Sequence, residues 1–365
     1  MRDISSYYLE IDSDSSLLYS QKGLELSEKL KYSLGIAANS AMIGDNYIRL
    51  DSLEKARYYY SQAVDAFEKT DNPSTYSKVL LVLGNIYFVT NNYPEALNAY
   101  QKSMKVCEVN GYDQTLAHLH NNIGSIYLEM DNLDKALENI EAAYKGFQKI
   151  EAELNAAQAL VSLAIVHRRL QEYNKALNNL NNALEIFRDL NDLENIAEAN
   201  RIIGLIYRDK EEYEKALSYF NEAFTIISRK DIQSIAPKSI ILSTIYLNLS
   251  QVNYHLKEYG KANKLAHQSL EIANANRYVK TISDSYMLLS QINEKMLRID
   301  SAYKYLKLHK IYSDSVMNEN AIEKITQLQL EYGFAKKISE RELVQSLKDA
   351  EQNGKNTYIL LQLFL

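Results

Sequence analysis

Small and apolar positions recur along the chain with a period of forty residues. A small residue stands at the same place in seven successive segments, and an aliphatic residue directly precedes it each time. The small sites are Gly44, Gly84, Gly124, Ala164, Gly204, Ser250 and Ser290, and the residues before them are Ile43, Leu83, Ile123, Leu163, Ile203, Leu249 and Leu289. Only the interval between Gly204 and Ser250 is longer, by six residues. Seven copies in register predict a repeat protein rather than two or three independent domains.

Further sites keep the same register. Alanine stands twelve residues after every small site, at Ala56, Ala96, Ala136, Ala176, Ala216, Ala262 and Ala302. An aromatic residue stands three after four of them, at Tyr47, Tyr87, Tyr127 and Tyr207, with His167 in the fourth copy. Spacings of three and four place these side chains on one face of a helix, and polar pairs such as Asn92-Tyr93 interrupt the pattern. Each unit is therefore predicted to be two helices joined by a short turn.

Local signals agree with this division. Pro94 falls where the second helix of its unit should begin, and Asn110-Gly111 is a typical helix end. The small site and the alanine should let the two helices of a hairpin approach closely, while the aromatic residues fill the gaps between hairpins. One hairpin cannot bury its apolar face alone, so the hairpins are expected to stack into a solenoid.

The repeated unit resembles the tetratricopeptide (TPR) motif. Leu83-Gly84-x-x-Tyr87 with Ala96-x₃-Tyr100, and Ile203-Gly204-x-x-Tyr207 with Ala216-x₃-Phe220, follow its L-G-x₂-Y and A-x₃-F elements. The chain departs from the motif in lacking the tryptophan and the terminal proline, and its longer period predicts longer helices. The resemblance implies an all-α, right-handed α-solenoid of antiparallel helix hairpins, with one long C-terminal helix after it.

Composition supports this class. With only 11 Gly and 3 Pro in 365 residues, the chain has too few turn residues for a β or doubly wound α/β fold. A net charge of −6 gives no support to nucleic-acid binding, and the single Cys107 excludes an internal disulfide and a thiolate zinc site. Ten of the 29 tyrosines fall on periodic sites, where a packing role is expected.

The predicted organisation has four parts. Residues 1–30 form a cap or partial repeat, and residues 31–316 form the seven-repeat array, with an insertion near 231–237. Residues 317–352 are predicted to form a long helix that is a cap or a coiled-coil linker, and residues 353–365 form an apolar tail. The junction resembles that of TPR input regions in membrane-anchored regulators of Bacteroidetes, in which case the tail would begin a membrane helix.

Sequence motifs for catalysis, metal binding or phosphate binding were not found, so the chain is predicted to be non-catalytic and to need no cofactor.

The TPR resemblance implies that first helices line a concave groove. The candidate groove residues are Asn85, Phe88, Asn121, Arg168, Arg201, Arg208, Gln251 and Tyr254. The asparagines would pair with an extended backbone, Phe88 and Tyr254 would be apolar anchors, and the arginines would hold a carboxylate. The alternative for the arginines is local pairing, of Arg168 with Glu172 and of Arg208 with Glu211 or Glu212.

The leading interpretation is a scaffold that binds a protein or peptide. The alternative is the input region of a bacterial signalling regulator, and an enzyme with an unrecognised groove site is the least favoured. Self-association through the C-terminal helix is a further prediction, and membrane contact is expected only if the tail continues as a membrane helix. Because residues 1–10 do not resemble a signal peptide, a cytoplasmic location is expected, with the periplasm as the alternative for a membrane-anchored regulator.

Overall fold

The computed structural model describes residues 13–229 and 235–315. Four predicted parts lie wholly or largely outside the described residues. They are the start of the cap at 1–30, most of the insertion near 231–237, the helix at 317–352 and the apolar tail at 353–365.

The described part of the chain contains fifteen α-helices and no β-strand. They are α1 (Ser13–Lys29), α2 (Ser33–Arg49), α3 (Leu53–Phe67), α4 (Pro73–Val89), α5 (Tyr93–Asn110), α6 (Asp113–Glu129), α7 (Leu133–Lys149), α8 (Glu153–Arg169), α9 (Tyr173–Asp189), α10 (Leu193–Asp209), α11 (Tyr213–Ile227), α12 (Ile235–His255), α13 (Tyr259–Ala275), α14 (Val279–Lys295) and α15 (Ile299–Ser315). This confirms the all-α solenoid. The helix pairs from α2–α3 to α14–α15 are the seven predicted hairpins.

The forty-residue period consists of two equal halves. Most of the helices are 17 residues long and are followed by a three-residue turn, as in α7, α8 and α9. The prediction of longer helices is therefore confirmed. Pro94 lies in the first turn of α5, and α5 ends at Asn110 before Gly111, as the sequence predicted.

Nearly every turn has the same backbone geometry. After α2, the residue Asp51 adopts a left-handed conformation (φ 53°), and its N–H donates to Ile48 O at 3.0 Å. The next N–H, from Ser52, donates to Tyr47 O at 2.8 Å, which completes a Schellman ending. Among the described turns, glycine occupies this left-handed position only at Gly111. Elsewhere it is filled by residues with a Cβ, namely Lys31, Asp51, Asn91, Asp131, Glu151, Gln171, Asn191, Glu211, Lys257, Arg277 and Leu297.

The chain divides into two compact units, one ending at Ile241 and one beginning at Leu242. In the first unit each helix from α1 to α10 packs on the next one. One continuous core runs through α6 to α10, from Ala117 to Ile206. The second unit has its own core, which includes Leu270, Leu289 and Tyr312.

Each small site has a specific neighbour within its own hairpin. A Cβ built on Gly204 would lie 2.5 Å from Cε1 of Phe220, and a Cβ on Gly44 would lie 2.5 Å from Cδ2 of Tyr60. These rings belong to the large residue four positions after the periodic alanine. The expectation that such rings fill gaps between hairpins was wrong at these sites, because here they occupy the space that glycine leaves between the two helices of one hairpin.

The predicted close approach of the two helices is confirmed. Ser250 and Ser290, which replace glycine in the second unit, donate from Oγ to the carbonyl oxygens of Ala262 and Ala302 at 2.7 and 2.8 Å. The periodic alanines from Ala56 to Ala262 are fully buried. A side chain larger than alanine at these positions would separate the backbones that the serine hydroxyls join.

A second crossing lies near the open end of each hairpin, and the sequence reading missed it. Ser103 Oγ donates to Ser77 O at 2.7 Å, and Ser269 Oγ donates to Ser243 O at 2.8 Å. These positions are seven before and nineteen after the small site. The first, third, fourth and fifth copies carry buried alanines there, at Ala37, Ala63, Ala117, Ala143, Ala157, Ala183, Ala197 and Ala223. The seventh copy carries Ser283 and His309, with His309 Nδ1 3.0 Å from Ser283 O. Periodic small residues were the signal that could have revealed this crossing.

Candidate functional site

The first helices of the first unit form a continuous surface. Helix α4 contacts α6, α6 contacts α8, and α8 contacts α10, whereas successive second helices make no comparable contact within the described residues. We call the surface formed by α2, α4, α6, α8 and α10 the first-helix face. The candidate groove residues of the first unit all lie on these helices.

Three arginines of this face are held by two carboxylates. Arg168 donates from Nη1 to Asp209 Oδ2 at 2.6 Å, and Arg208 donates from Nη2 to Asp209 Oδ1 at 2.7 Å. Asp209 therefore bridges α8 and the end of α10. Arg201 forms a two-point pair with Glu198, with Nε 2.7 Å from Oε2 and Nη2 2.5 Å from Oε1. The residues that pair with these arginines, Asp209 and Glu198, were not among the sequence candidates.

The alternative prediction, that Arg168 and Arg208 pair with glutamates of the adjacent turns, was wrong, because both pair with Asp209. Glu172 accepts from Lys175 at 2.9 Å and lies 2.7 Å from Nδ1 of His167, across the turn between α8 and α9. Both contacts hold the pKa of Glu172 below its usual value, the Lys175 hydrogen bond most strongly. Glu212 pairs with Lys210 and Lys215 instead of Arg208. Acidic residues in the turns thus bind their own turn and leave the arginines to Asp209 and Glu198.

The arginine cluster concentrates positive charge. The Arg168 side chain is only 18% exposed, and its burial lowers the guanidinium pKa from its usual value; Asp209 opposes this, and the charges of Arg208 and Arg201 add to it. The buried Nε of Arg168 has no hydrogen-bond acceptor among the described residues. A carboxylate placed here would find a guanidinium with an unused donor.

The two candidate asparagines differ in their contacts. Asn85 Oδ1 accepts from Tyr100 OH at 2.7 Å and from Asn122 Nδ2 at 2.8 Å, so it ties α4 to α5 and α6. The buried Oδ1 of Asn121 has no donor among the described residues. Asn85 therefore holds the scaffold, and of the two only Asn121 has an amide oxygen without a partner.

The two predicted apolar anchors pack across turns. The rings of Phe88 and Tyr93 are 5.9 Å apart, and those of Tyr254 and Tyr259 are 5.7 Å apart. Each pair joins the end of a first helix to the start of its second helix. Both Phe88 and Tyr254 are partly buried against their cores. Gln251 and Tyr254 belong to the second unit, and within the first unit the structure brings Arg168, Arg201 and Arg208 together.

A cleft of about 310 Å³ lies on the first-helix face between α2 and α4. Its wall is largely apolar, and Asp45 lies in it with its carboxylate accepting from Tyr60 OH. Burial raises the pKa of the Asp45 carboxyl, and the Tyr60 hydrogen bond and the charge of Arg49 oppose that shift. Asp45 was not a sequence candidate, although its place directly after a small site is the place that Asn85 occupies in the next copy.

The described residues were also searched for membrane-spanning helices, metal-binding clusters and a reactive cysteine. No helix among them is long and apolar enough to cross a membrane, and no three of their His, Cys, Asp and Glu residues are placed to hold a metal ion. Cys107 is fully buried in the core cluster that contains Ala96, Tyr100 and Leu119. Burial raises the pKa of its thiol.

The repeated hairpins and their packing match a known family. The family model described as the MalT-like TPR region matches residues 12–354. The chain belongs to the MalT-like TPR family. No curated protein matches this chain. The match includes all fifteen helices, so the MalT-like TPR region comprises both units of the described structure.

Solved structures share the MalT-like TPR architecture at low identity. Aspartyl phosphate phosphatase F from Bacillus subtilis is 12% identical, with 80% of this chain and 74% of that chain covered and a TM-score of 0.63. A Rap protein complexed with Competence and Sporulation Factor is 15% identical, with 87% and 97% covered and a TM-score of 0.59. A tetratricopeptide repeat protein from Parabacteroides merdae ATCC 43184 is 16% identical, with 80% and 98% covered and a TM-score of 0.52. At these identities the likeness shows the fold alone.

Proposed function

We propose that this MalT-like TPR chain is a non-catalytic scaffold that binds a protein or peptide segment along its first-helix face. An acidic group of that segment would bind Arg168, Arg201 and Arg208. The observation that carries the proposal is the sharing of one carboxylate, Asp209, by Arg168 and Arg208, with Arg201 close enough to add to the positive charge.

The contacts suggest how an acidic group would be received. Arg168 contributes one Nη to Asp209 and leaves its Nε without an acceptor among the described residues. A ligand carboxylate beside these side chains would relieve the repulsion among three guanidinium groups. Because the site is partly buried, this attraction is less screened than a surface ion pair. One solved neighbour, the Rap protein, is named as a complex with Competence and Sporulation Factor, which is consistent with a peptide-type ligand on this fold.

Binding of selected peptides tests the proposal. Peptides that bind the chain are selected from a random library, and each is remade with its carboxylates converted to amides. Replacement of Arg168, Arg201 and Arg208 by Ala should weaken the acidic peptide at least tenfold and the amidated peptide much less. The matched control replaces Lys105, Lys145 and Arg188, which are exposed on second helices, and should leave affinity within twofold. Equal losses in the two triple variants would overturn the assignment of the site.

The variant Asp209→Asn gives a second test of the arginine site. This change removes the carboxylate that competes for Arg168 and Arg208, so the acidic peptide should bind more tightly. Weaker binding would show that Asp209 orders the arginines rather than competing with the ligand.

A role as the input region of a bacterial regulator remains a prediction, as do self-association through residues 317–352 and the cytoplasmic or periplasmic location. The family model matches residues up to 354, which is past the predicted array. This supports treating residues 317–352 as part of the same functional region as the array. Sedimentation of the full chain and of a variant ending at Ser315 would test self-association. If residues 317–352 mediate it, only the full chain should sediment as an oligomer.

A further inference from the structure

The cleft between α2 and α4 contains the carboxylate of Asp45. Among the described residues, this group accepts one hydrogen bond fewer than Asn85, the residue at the same position of the next repeat. Asp45 and Asn85 both stand directly after the small glycine of their copies. Each accepts a hydrogen bond from the tyrosine of its own second helix, Tyr60 or Tyr100. Asn85 accepts a second bond from Asn122 of the next first helix, at 2.8 Å.

Asn122 belongs to the third copy, and the residue at the equivalent position of the second copy is Val82, which has no side-chain donor. Val82 lies in the wall of the cleft, so the position from which a donor would reach Asp45 faces this open space. The repeat thus provides an internal reference for what the Asp45 carboxylate is missing.

The surroundings of Asp45 favour a positively charged donor. Among the described residues no Lys, Arg or His forms an ion pair with Asp45. Ala38, Ala41, Met42 and Val79 form the apolar part of the wall. A long basic side chain fits both features, because its methylenes can pack on apolar surface while its charged end reaches a carboxylate. The volume, about 310 Å³, is at the lower end of the range of about 300–1,000 Å³ typical of ligand pockets.

We propose that this cleft is a specificity pocket for a Lys or Arg side chain of the bound segment, with the Asp45 carboxylate as its acceptor. The inference deepens the proposed function, since the basic residue would belong to the segment whose acidic group binds the arginines. Its test uses single amino-acid derivatives, so it can succeed or fail independently of that proposal.

Met42 provides a local reporter. It is the methionine that lines the cleft, and the chain has 7 methionines in all, so methyl-labelled methionine gives a simple spectrum. Titration with N-acetyl-arginine amide or N-acetyl-lysine amide should shift the Met42 methyl resonance to saturation. N-acetyl-norleucine amide and N-acetyl-glutamate amide, which are neutral and acidic, should bind at least tenfold more weakly. Equal shifts with the arginine and norleucine derivatives would overturn the proposal.

Three variants sharpen the test. Asp45→Asn should weaken the arginine derivative at least tenfold, and it is expected to fold because Asn85 fills the equivalent place. Val82→Asn supplies the missing donor from within the chain and should also weaken binding. Asp51→Asn is the charge-matched control, because Asp51 is exposed in the following turn and outside the cleft; it should bind like the wild type. Unchanged binding in Asp45→Asn would refute the assignment.

Lys78 supplies a further check, since it lines the same cleft but is exposed and forms no ion pair with Asp45 within the described part. Lys78→Met should strengthen binding of the arginine derivative by removing a like charge. If basic derivatives bind at Met42 while the arginine triple variant leaves peptide binding unchanged, the pocket stands and the proposed acidic-group site fails. The reverse result would leave that site intact and remove the pocket.

Discussion

The ring of Phe220 lies against the backbone of Gly204, so close that a Cβ on that residue would stand 2.5 Å from ring carbon Cε1. Phe220 is fully buried and belongs to the second helix of the same hairpin. The glycine therefore serves the packing of a ring rather than the flexibility of a loop. The same relation recurs between Gly44 and Tyr60 in the first hairpin.

Gly204→Ala is expected to destabilise the first unit by about 1–3 kcal/mol, because the buried Phe220 ring must move to admit the methyl group. Gly260→Ala is the matched control. Gly260 is also helical, but no heavy atom lies within 4 Å of an added Cβ, so alanine there should stabilise by about 0.5 kcal/mol. Thermal unfolding of the two variants measures the contrast. A loss of stability at Gly260 equal to that at Gly204 would contradict the packing explanation.

The left-handed turn positions predict a change in the opposite direction. Leu297 has φ 58° and is 84% exposed, so its side chain gains little from packing while its Cβ strains the backbone. Leu297→Gly should therefore stabilise by about 1 kcal/mol. Gly111→Ala should cost about 1 kcal/mol, since an added Cβ meets no atom within 4 Å and only the φ of 71° opposes it. Urea unfolding would measure both, and changes of the same sign in the two variants would refute the argument.

The two asparagines of the first-helix face should behave differently. Asn85→Ala removes the acceptor of both Tyr100 OH and Asn122 Nδ2, leaving partly buried donors unsatisfied, at a cost of about 1–3 kcal/mol. Asn121→Ala removes an amide whose Oδ1 accepts no bond among the described residues, so its cost should be smaller. Differential scanning calorimetry would compare them. A larger loss for Asn121→Ala would show that its amide supports the fold more than Asn85 does.

Asp45 should give a pH-dependent effect on stability. An unfolded aspartate titrates near a pKa of about 3.9, and burial raises the folded-state pKa of Asp45 above that value. Stability from the protonated form is present below the unfolded pKa and is lost as pH rises through the folded pKa. Asp45→Asn should therefore have a higher Tm than the wild type at pH 7, and the difference should shrink as pH falls towards about 3. A difference that grows on acidification would contradict the direction of the shift.

Much of the fold was predictable because each hairpin repeats the same packing problem. Small, alanine and tyrosine sites in register, such as Gly84, Ala96 and Tyr87, defined the helix pairs before any coordinates. The site was less predictable. The sequence placed Arg168 and Arg208 on neighbouring first helices, but the acidic partners it offered as the alternative to a bound carboxylate were residues in the turns. Turn residues such as Glu172 and Glu212 bind nearby lysines, because those are the first cations within reach.

The sequence by itself determined the number of hairpins, the helix faces and the turns, since these follow from local periodicity and from contacts within one forty-residue unit. Tertiary structure alone decided which polar groups of different copies meet. Asp209 lies 41 residues from Arg168 and Asn122 lies 37 from Asn85, so their hydrogen bonds depend on how neighbouring hairpins stack. The same stacking places Val82 opposite Asp45 without a donor. A position that looks equivalent in every copy thus becomes a scaffold bond in one hairpin and an open acceptor in another, because its partner comes from the next copy.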